Sequence, residues 1–344
     1  MTRRAAFSRV AGRAGWQGAL LASSLLLSGC LAFQGGVRTS PVPQPRPAPA
    51  IYTPSAESVE LAGYYERVQR GLLVQGLLRG DDGGVDTPFT DEMLARNFMR
   101  LAFSSEYALP GRAGQSGQSP AQFLNRWDGP VRLSLSFGAS VDPDARKQVT
   151  AITRRYASRL ARITGLSISV LKPDHPRANM RIFIVDERER RALEARLSRG
   201  DGTLSAAAIR ALISLDRRNY CHVLARAPQG TATLTKADVV IRTEIPPRMM
   251  GACLHEEIAQ GLGIGNDSPQ ARPSIFNDDE EFGRLTTHDE MLLRILYDAR
   301  LRPGMSADEA RPIVTEIARE LVPPAHRSAR PDQTPHTSPT DDEV

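Results

Sequence analysis

The clearest pattern in the chain is a strand followed by a long helix. Apolar and polar residues alternate over 131–137, as expected of a strand with one buried face. Asp142 and Pro143 then suit the first turn of a helix, and Gly165 suits its end. Between them, apolar residues recur at three- and four-residue spacing, at Val149, Ile152, Tyr156, Leu160 and Ile163.

Shorter apolar segments predict the rest of the fold. Further strands are expected at 166–170, 180–185 and 238–243, and further helices at 187–197, at 205–215 and from Pro246 onward. Before the first strand, residues 58–127 have mainly helical spacing. The pattern therefore predicts an α+β fold, with a mixed twisted sheet preceded by a small helical region.

Composition separates the two ends of the chain from its centre. Residues 31–54 and 323–344 are rich in Pro, Ser and Thr and have no periodic apolar pattern, so neither is given a fold. The expected organisation is a signal peptide at 1–29, a Pro-rich tether at 30–57 and a helical region at 58–127. The main domain follows at 128–322, with a disordered tail at 323–344.

The first 29 residues have the pattern of an export signal. They begin with four arginines and no acidic residue, continue with an apolar stretch, and end in Leu27-Ser28-Gly29 before Cys30. This ending resembles the bacterial lipobox, which implies cleavage before Cys30 and its lipidation. A membrane-anchored protein of the cell envelope, facing the periplasm, is therefore expected, with the outer membrane favoured. The alternative is an ordinary signal sequence with a chance cysteine.

Charge and cysteine content agree with export. Most of the formal net charge of +5 comes from those four arginines, and no basic run interleaved with aromatics follows, so nucleic acid is not an expected partner. With Cys30 lipidated, Cys221 and Cys253 remain as a pair that an oxidising compartment would join. Such a bridge would stabilise the fold by about 3 to 4 kcal/mol. The alternative is two separate buried thiols.

The residues with the most chemical interest lie in the helix after Pro246. His255 and Glu256 suggest the zinc motif H-E-x-x-H, but the residue four positions after His255 is Ala259, so this register supplies no second ligand. Shifting the register by one residue places Glu256 and Gln260 one turn apart. Glu257 then occupies the position of the general base.

In this register, residues 256–267 resemble the metzincin motif H-E-x-x-H-x-x-G-x-x-H with every histidine replaced. Gly263 matches the conserved glycine position, and Asn266 takes the place of the third ligand. Two later segments also resemble metzincins: 273–277, with Phe276 where a methionine is usual, and 285–297, with its L-T-x-x-D start. The lipobox and the segment 253–260 further resemble a family of bacterial lipoproteins catalogued as a domain of unknown function.

This resemblance implies a zincin-like, metzincin-type domain with a divergent metal site. Its candidate ligands are Glu256, Gln260 and Asn266, and His255 and Asp267 are possible additional ones. These oxygen donors favour Ca²⁺, Mg²⁺ or Mn²⁺, whereas zinc prefers imidazole and thiolate. Any metal is therefore expected to differ from zinc, or to bind more weakly than zinc usually does. The resemblance also implies that 239–241 is an antiparallel edge strand able to pair with an extended substrate.

Each of these residues also has a purely structural interpretation. Glu256 and Gln260 can form a hydrogen-bonded pair on a solvated helix face, and 266–267 can be a simple turn. The Thr286-x-x-Asp289 pattern is best explained as a capping box, and His288 is expected at the surface. The acidic run 278–281 suits a solvated loop, although Glu280 or Glu281 can supply a late carboxylate ligand.

Two functional hypotheses follow. The first is metal-assisted hydrolysis of a peptide or related amide, with Glu257 as the general base. The second is a non-catalytic module that uses the cleft and the edge strand to bind an extended peptide or an envelope partner. A purely structural envelope lipoprotein, with neither metal nor peptide affinity, is a third possibility.

Overall fold

A five-stranded mixed sheet forms the centre of the molecule. The computed structural model describes residues 52–103, 123–199, 204–277 and 279–328. The strands of this sheet are β2 Val131–Phe137, β3 Ile168–Val170, β4 Met180–Val185, β5 Cys221–Arg226 and β7 Lys236–Arg242, and a small second sheet joins β1 Arg126–Trp127 to β6 Thr233–Leu234. The strand order in the large sheet is β3-β2-β4-β7-β5, in which β5 alone is antiparallel to its neighbour.

Helices cover both faces of this sheet. The helices are α1 Ala56–Val74, α2 Asp91–Phe103, α3 Pro143–Thr164, α4 Glu187–Ser198, α5 Ala206–Ile213, α6 Pro247–Gln260, α7 Thr287–Leu296 and α8 Ala307–Leu321. A short 3-10 helix follows at Pro324–His326. On one face, α3 packs against both α6 and α7, and these three share the larger core with α1, α2 and α8. On the other face, α4 and α5 cover the sheet with a smaller core.

The long helix begins and ends where the sequence predicts. The Asp142 carboxylate accepts hydrogen bonds from the backbone N–H groups of Asp144 and Ala145, and Pro143 occupies the first turn. Gly165 ends the helix at φ 72°, a left-handed conformation that costs glycine little. The α+β class and the mixed sheet are likewise confirmed.

The prediction that 239–241 form the edge strand is wrong. Residues 239–241 belong to β7, which lies between β4 and β5 and runs parallel to β4. The antiparallel edge is β5, a strand that the sequence pattern did not predict. Its residues are all half-buried, so there is no alternation of buried and exposed positions to detect.

Several other predictions concern the chain ends. Residues 1–51, with Cys30 and most of the tether, and residues 329–344 of the tail lie outside the described residues. In the 58–127 region, α1 and α2 are helical as predicted, whereas Arg126–Trp127 forms β1. Helix α8 lies in a segment for which the pattern predicted nothing. Among the described residues, no helix is long and apolar enough to cross a membrane.

Candidate functional site

Helix α6 forms the floor of the site and is fixed to the edge strand. Pro247 occupies its first turn, and its apolar residues, such as Met249 and Leu254, are completely buried. A disulfide joins Cys253 in α6 to Cys221 at the start of β5, with 6.0 Å between their Cα atoms. The predicted pairing is therefore present, and it holds β5 beside the residues that follow Cys253 in the helix.

The turn after α6 depends on a glycine. Gly263 has φ 125°, and a Cβ atom there would lie 2.4 Å from the backbone oxygen of Asn125. Any larger residue would therefore clash with backbone as well as adopt a strained conformation. The turn redirects the chain so that Asp267 faces the end of α6, where its carboxylate accepts a hydrogen bond from the Gln260 amide at 2.6 Å.

A cleft of about 1530 Å³ lies above α6. Of the residues predicted from the metal motif, the structure brings four together along its wall: Glu256, Glu257, Gln260 and Asp267. Asn266 does not line this cleft, and its amide donates to the backbone oxygen of Asp267 at 3.0 Å. The neighbouring Asp267 therefore takes the place that the motif assigns to Asn266.

Glu257 is the most perturbed acid of this group. Only 5 % of the residue is exposed, and its Oε2 atom has no hydrogen-bond partner among the described residues. Burial, followed by the charge of Asp267, raises the pKa of the Glu257 carboxyl well above its ordinary value. A carboxyl in this environment holds a proton readily, and it is costly to leave ionised without a cation nearby.

A tyrosine and a later glutamate lie in the same cleft. The Tyr220 hydroxyl donates a hydrogen bond to the Glu280 carboxylate, and both residues line the cleft. Burial raises the pKa of Tyr220, and the charges of Glu280, Glu256 and Glu257 raise it further. The adjacent Glu281 instead pairs with Arg272 and Arg79, so of these two glutamates Glu280 is the one that lines the cleft.

Sequence reasoning missed Tyr220, because no known motif and no predicted strand includes it. The one available signal was its position next to Cys221, whose predicted disulfide already placed this segment beside α6. Glu280 was considered only as one of two late ligands, since nothing local distinguishes it from Glu281.

The outer side of β5 borders the cleft along its length. The Arg242 backbone N–H donates to the Tyr220 carbonyl oxygen at 3.0 Å, and the same register directs the backbone groups of His222 and Leu224 to β7. The N–H and C=O groups of Val223 and the other odd-numbered residues of β5 therefore point away from the sheet. Within the described part of the chain, no strand pairs with that side.

Two histidines lie close in sequence to the site but do not face its acids. His255 stacks on the Tyr156 ring at 4.0 Å between centroids, and its Nδ1 accepts from the backbone N–H of Leu285 at 3.3 Å. Burial, then the charges of Arg159 and Arg284, lowers the pKa of His255 to about 3. The imidazole is therefore neutral and packs against α3, away from the cleft.

His222 belongs to β5 and lines the cleft from the face of the sheet opposite to α6. Because side chains alternate along a strand, His222 and Leu224 face α5, whereas Cys221 faces α6. Burial lowers the pKa of His222 to about 4, so its imidazole is neutral at physiological pH. The sheet separates it from Glu256 and Glu257.

The segment that resembles a Met-turn, 273–277, is held by hydrogen bonds to Asp289 in α7. The Asp289 carboxylate accepts hydrogen bonds from the Ser274 hydroxyl at 2.5 Å and from the backbone N–H groups of Ile275 and Thr286 at 3.0 and 2.9 Å. The predicted capping box between Thr286 and Asp289 is therefore present, and it also fixes this turn. The aromatic Phe276 is completely buried in the core.

The prediction for His288 is wrong. Its side chain is completely buried, where Nε2 lies 3.1 Å from the Asn97 amide and the ring makes an edge contact with Phe89. Both partners come from the segment before and within α2, so only the tertiary fold decides its environment.

The donors at the site are mainly oxygen atoms. Ligand atoms of Glu256, Glu257 and Cys221 lie within 4.8 Å of one another, but the Cys221 sulfur is committed to the disulfide. Asp267 and Glu280 add further carboxylates to the cleft. A set of this kind suits a hard divalent cation better than zinc.

Comparison with protein families assigns the chain. Neither the curated proteins nor the solved structures contain a match to it. A family model described as "Protein of unknown function (DUF2927)" matches residues 91–316, which is more than half of the chain and extends from α2 into α8. All the cleft residues described above lie within the matched segment, and the chain belongs to this family of unknown function, DUF2927.

Proposed function

We propose that this protein is a lipid-anchored protein of the cell envelope with a divergent metallopeptidase-like domain. Its cleft binds an extended peptide along β5 and holds a divalent cation among the carboxylates below. The anchor is Cys30, at the end of the predicted signal. The zincin-like assignment is supported by the metzincin-like order of segments from 256 to 297, and by an antiparallel edge strand above the motif helix.

One observation carries the cation site: the environment of Glu257. Its buried Oε2 has no partner among the described residues, and Glu256 and Asp267 concentrate negative charge around it. Such an arrangement is unfavourable for folding, because buried like charges repel and a buried polar atom without a partner costs about 1 to 3 kcal/mol. A bound cation relieves both costs.

The same geometry supports hydrolysis of a peptide or related amide. A bound divalent cation supplies Lewis-acid polarisation of the scissile carbonyl. Glu257 accepts the proton of the attacking water, a role for which the high proton affinity of its carboxyl is suited. The free backbone groups of β5 align the peptide, as in strand addition at other sheet edges.

Cation binding is tested directly with Mn²⁺ and Ca²⁺. We expect isothermal titration calorimetry to find one site per chain, and Glu256→Gln to weaken it by about tenfold or more, since it removes a charged oxygen ligand. Glu316→Gln is the matched control, because Glu316 is an exposed glutamate in helix α8 that does not line the cleft. Equal binding by the Glu256→Gln variant, or no binding by the wild type, contradicts the proposal.

Peptide binding along β5 is tested with two neighbouring proline substitutions. Val223→Pro removes an N–H group that points away from the sheet, so we expect weaker peptide binding with a stability change below about 1 kcal/mol. Leu224→Pro removes an N–H group bonded to β7, so we expect a loss of about 3 kcal/mol or more. Fluorescence anisotropy with an unstructured peptide library measures the first effect, and urea unfolding the second. Unchanged peptide affinity in Val223→Pro excludes this mode of binding.

The second candidate is a non-catalytic peptide-binding module. The observation favouring it is that oxygen donors stand at every position where the motif has a zinc-binding histidine. Incubation of the same peptide library with the metal-loaded protein separates the two. Cleavage that is lost in Glu257→Gln supports catalysis, whereas peptides that are bound, released intact and unaffected by Glu257→Gln support the binding module.

A further inference from the structure

The disulfide and the acids form one cluster in the cleft. The Cys221 Sγ atom and carboxylate oxygens of Glu256 and Glu257 all lie within 4.8 Å of one another. The second sulfur of the bridge belongs to Cys253, which precedes Glu257 by four residues and so lies on the same helix face. Two sulfurs and two carboxylates are therefore directed to one region.

Glu257 shows that this cluster is a site rather than a group of acids near a bridge. The residue is only 5 % exposed, lines the cleft, and has a buried oxygen with no hydrogen-bond partner among the described residues. A carboxyl that lies within 4.8 Å of the Cys221 sulfur and keeps one buried oxygen without a partner among the described residues has the chemistry of a metal ligand. The disulfide form offers only oxygen donors, because a disulfide sulfur carries no charge and is a poor ligand.

We infer that reduction of the Cys221–Cys253 bridge converts this part of the cleft into a zinc site with ligands Cys221, Cys253, Glu256 and Glu257. In this reaction a dithiol gives up two electrons and two protons to the bridge, forms its own disulfide, and leaves two cysteine thiols. Zn²⁺ then displaces the two thiol protons as the thiolates bind. Two thiolates and two carboxylates form a four-ligand set that zinc accepts.

The cleft gives both the reductant and the metal a route to the bridge. Cys221 is half-buried and lines the cleft, whereas Cys253 lies completely buried beneath it. A dithiol can therefore approach the Cys221 sulfur from the cleft. The redox state would then decide which metal is preferred, a hard cation with the bridge intact and zinc with the bridge open.

This inference rests on the proposed function only in sharing Glu256 and Glu257 with the proposed cation site. The two are distinguishable because they concern different forms of the protein. Mn²⁺ binding by the oxidised chain tests the proposed function, and zinc binding by the reduced chain tests the inference, so either can fail while the other holds.

The experiment measures metal binding by the full-length chain carrying Cys30→Ser, in which Cys221 and Cys253 are the remaining cysteines. Zinc affinity is determined by competition with a chromophoric chelator, before and after reduction with a dithiol. We expect one zinc per reduced chain and at least about tenfold weaker zinc binding by the oxidised chain. Loss of a residue that merely hydrogen-bonds to a metal ligand already lowers metal affinity by about tenfold, and the oxidised chain lacks two ligands. Co²⁺ in the reduced chain should show a thiolate-to-cobalt charge-transfer band.

Two variants make the result specific. Glu257→Gln should weaken zinc binding by the reduced chain about tenfold or more, and Cys221→Ser should abolish the charge-transfer difference between oxidising and reducing conditions. Glu316→Gln is again the control. Equal zinc affinity with and without the bridge overturns the inference, as does a reduced chain that remains folded by circular dichroism without binding zinc. A reduced chain that unfolds even with zinc present also overturns it.

Discussion

Two buried glutamates with nearly equal burial have opposite electrostatic environments. Glu187, at the start of α4, is 4 % exposed, and Glu257, in α6, is 5 % exposed. Burial raises the pKa of Glu187, but hydrogen bonds and charge from Arg190 and Arg242 outweigh it and hold the pKa below its ordinary value. For Glu257 burial and Asp267 act in the same direction and raise the pKa. The partners, and not the depth of burial, decide whether a buried acid is a structural element or a candidate ligand.

The largest expected effect on stability is at Glu187, whose charge is balanced by arginines. Arg242→Met leaves Glu187 buried with one strong partner fewer, so we expect a loss of about 3 to 5 kcal/mol in the free energy of unfolding. Arg191→Met is the matched control: Arg191 also contacts Glu187, at 2.9 Å, but its side chain is 61 % exposed. Its loss should cost less than about 1 kcal/mol. Urea unfolding measures both, and similar values for the two variants would break the comparison.

A smaller change in stability, in the opposite direction, is expected when Glu257 in the cleft is replaced. With a chelator present, Glu257→Gln should leave the domain equally stable or stabilise it by about 1 kcal/mol, because it removes a buried carboxyl whose ionised form repels Asp267. Glu187→Gln should instead destabilise the domain, since it leaves two guanidinium groups underpaired. Thermal unfolding of the two variants side by side measures this contrast. Equal destabilisation would show that both glutamates are structural.

The smallest expected effect is a change in acid sensitivity. Because the folded-state pKa of Glu187 is lowered, its ionised form stabilises the domain above the unfolded-state pKa, and this contribution is lost as pH falls through the folded-state value. The wild type should therefore lose stability on acidification more steeply than Glu187→Gln. Urea midpoints from neutral to acidic pH measure the slope, and parallel curves would mean that Glu187 contributes nothing to it.

Much of the fold could be predicted from local sequence. The helix from Pro143 to Thr164 has its cap, its first-turn proline and its terminal glycine within its own segment, and all three act as predicted. The capping box at Thr286 and Asp289 is equally local. Strand β5 was missed because an edge strand packed on both sides has no alternating pattern, and its place in the sheet depends on β7 and on the disulfide.

The candidate site was predicted in part. Motif spacing identified Glu256, Glu257 and Gln260, because residues three and four apart share a helix face whatever the tertiary fold. It placed Asn266 at the site, where the structure has Asp267, since the direction of the chain after Gly263 depends on packing against Asn125.

The sequence by itself determined the helix faces and the caps, because these follow from periodicity and local hydrogen bonding. It predicted the pairing of Cys221 with Cys253 from the cysteine count, and the structure contains that bridge. Only the tertiary structure decided that Tyr220 and Glu280 join the acids of α6, and that His288 is buried against Asn97. These contacts join residues far apart in sequence, and no local pattern records which distant group will lie within a few ångströms.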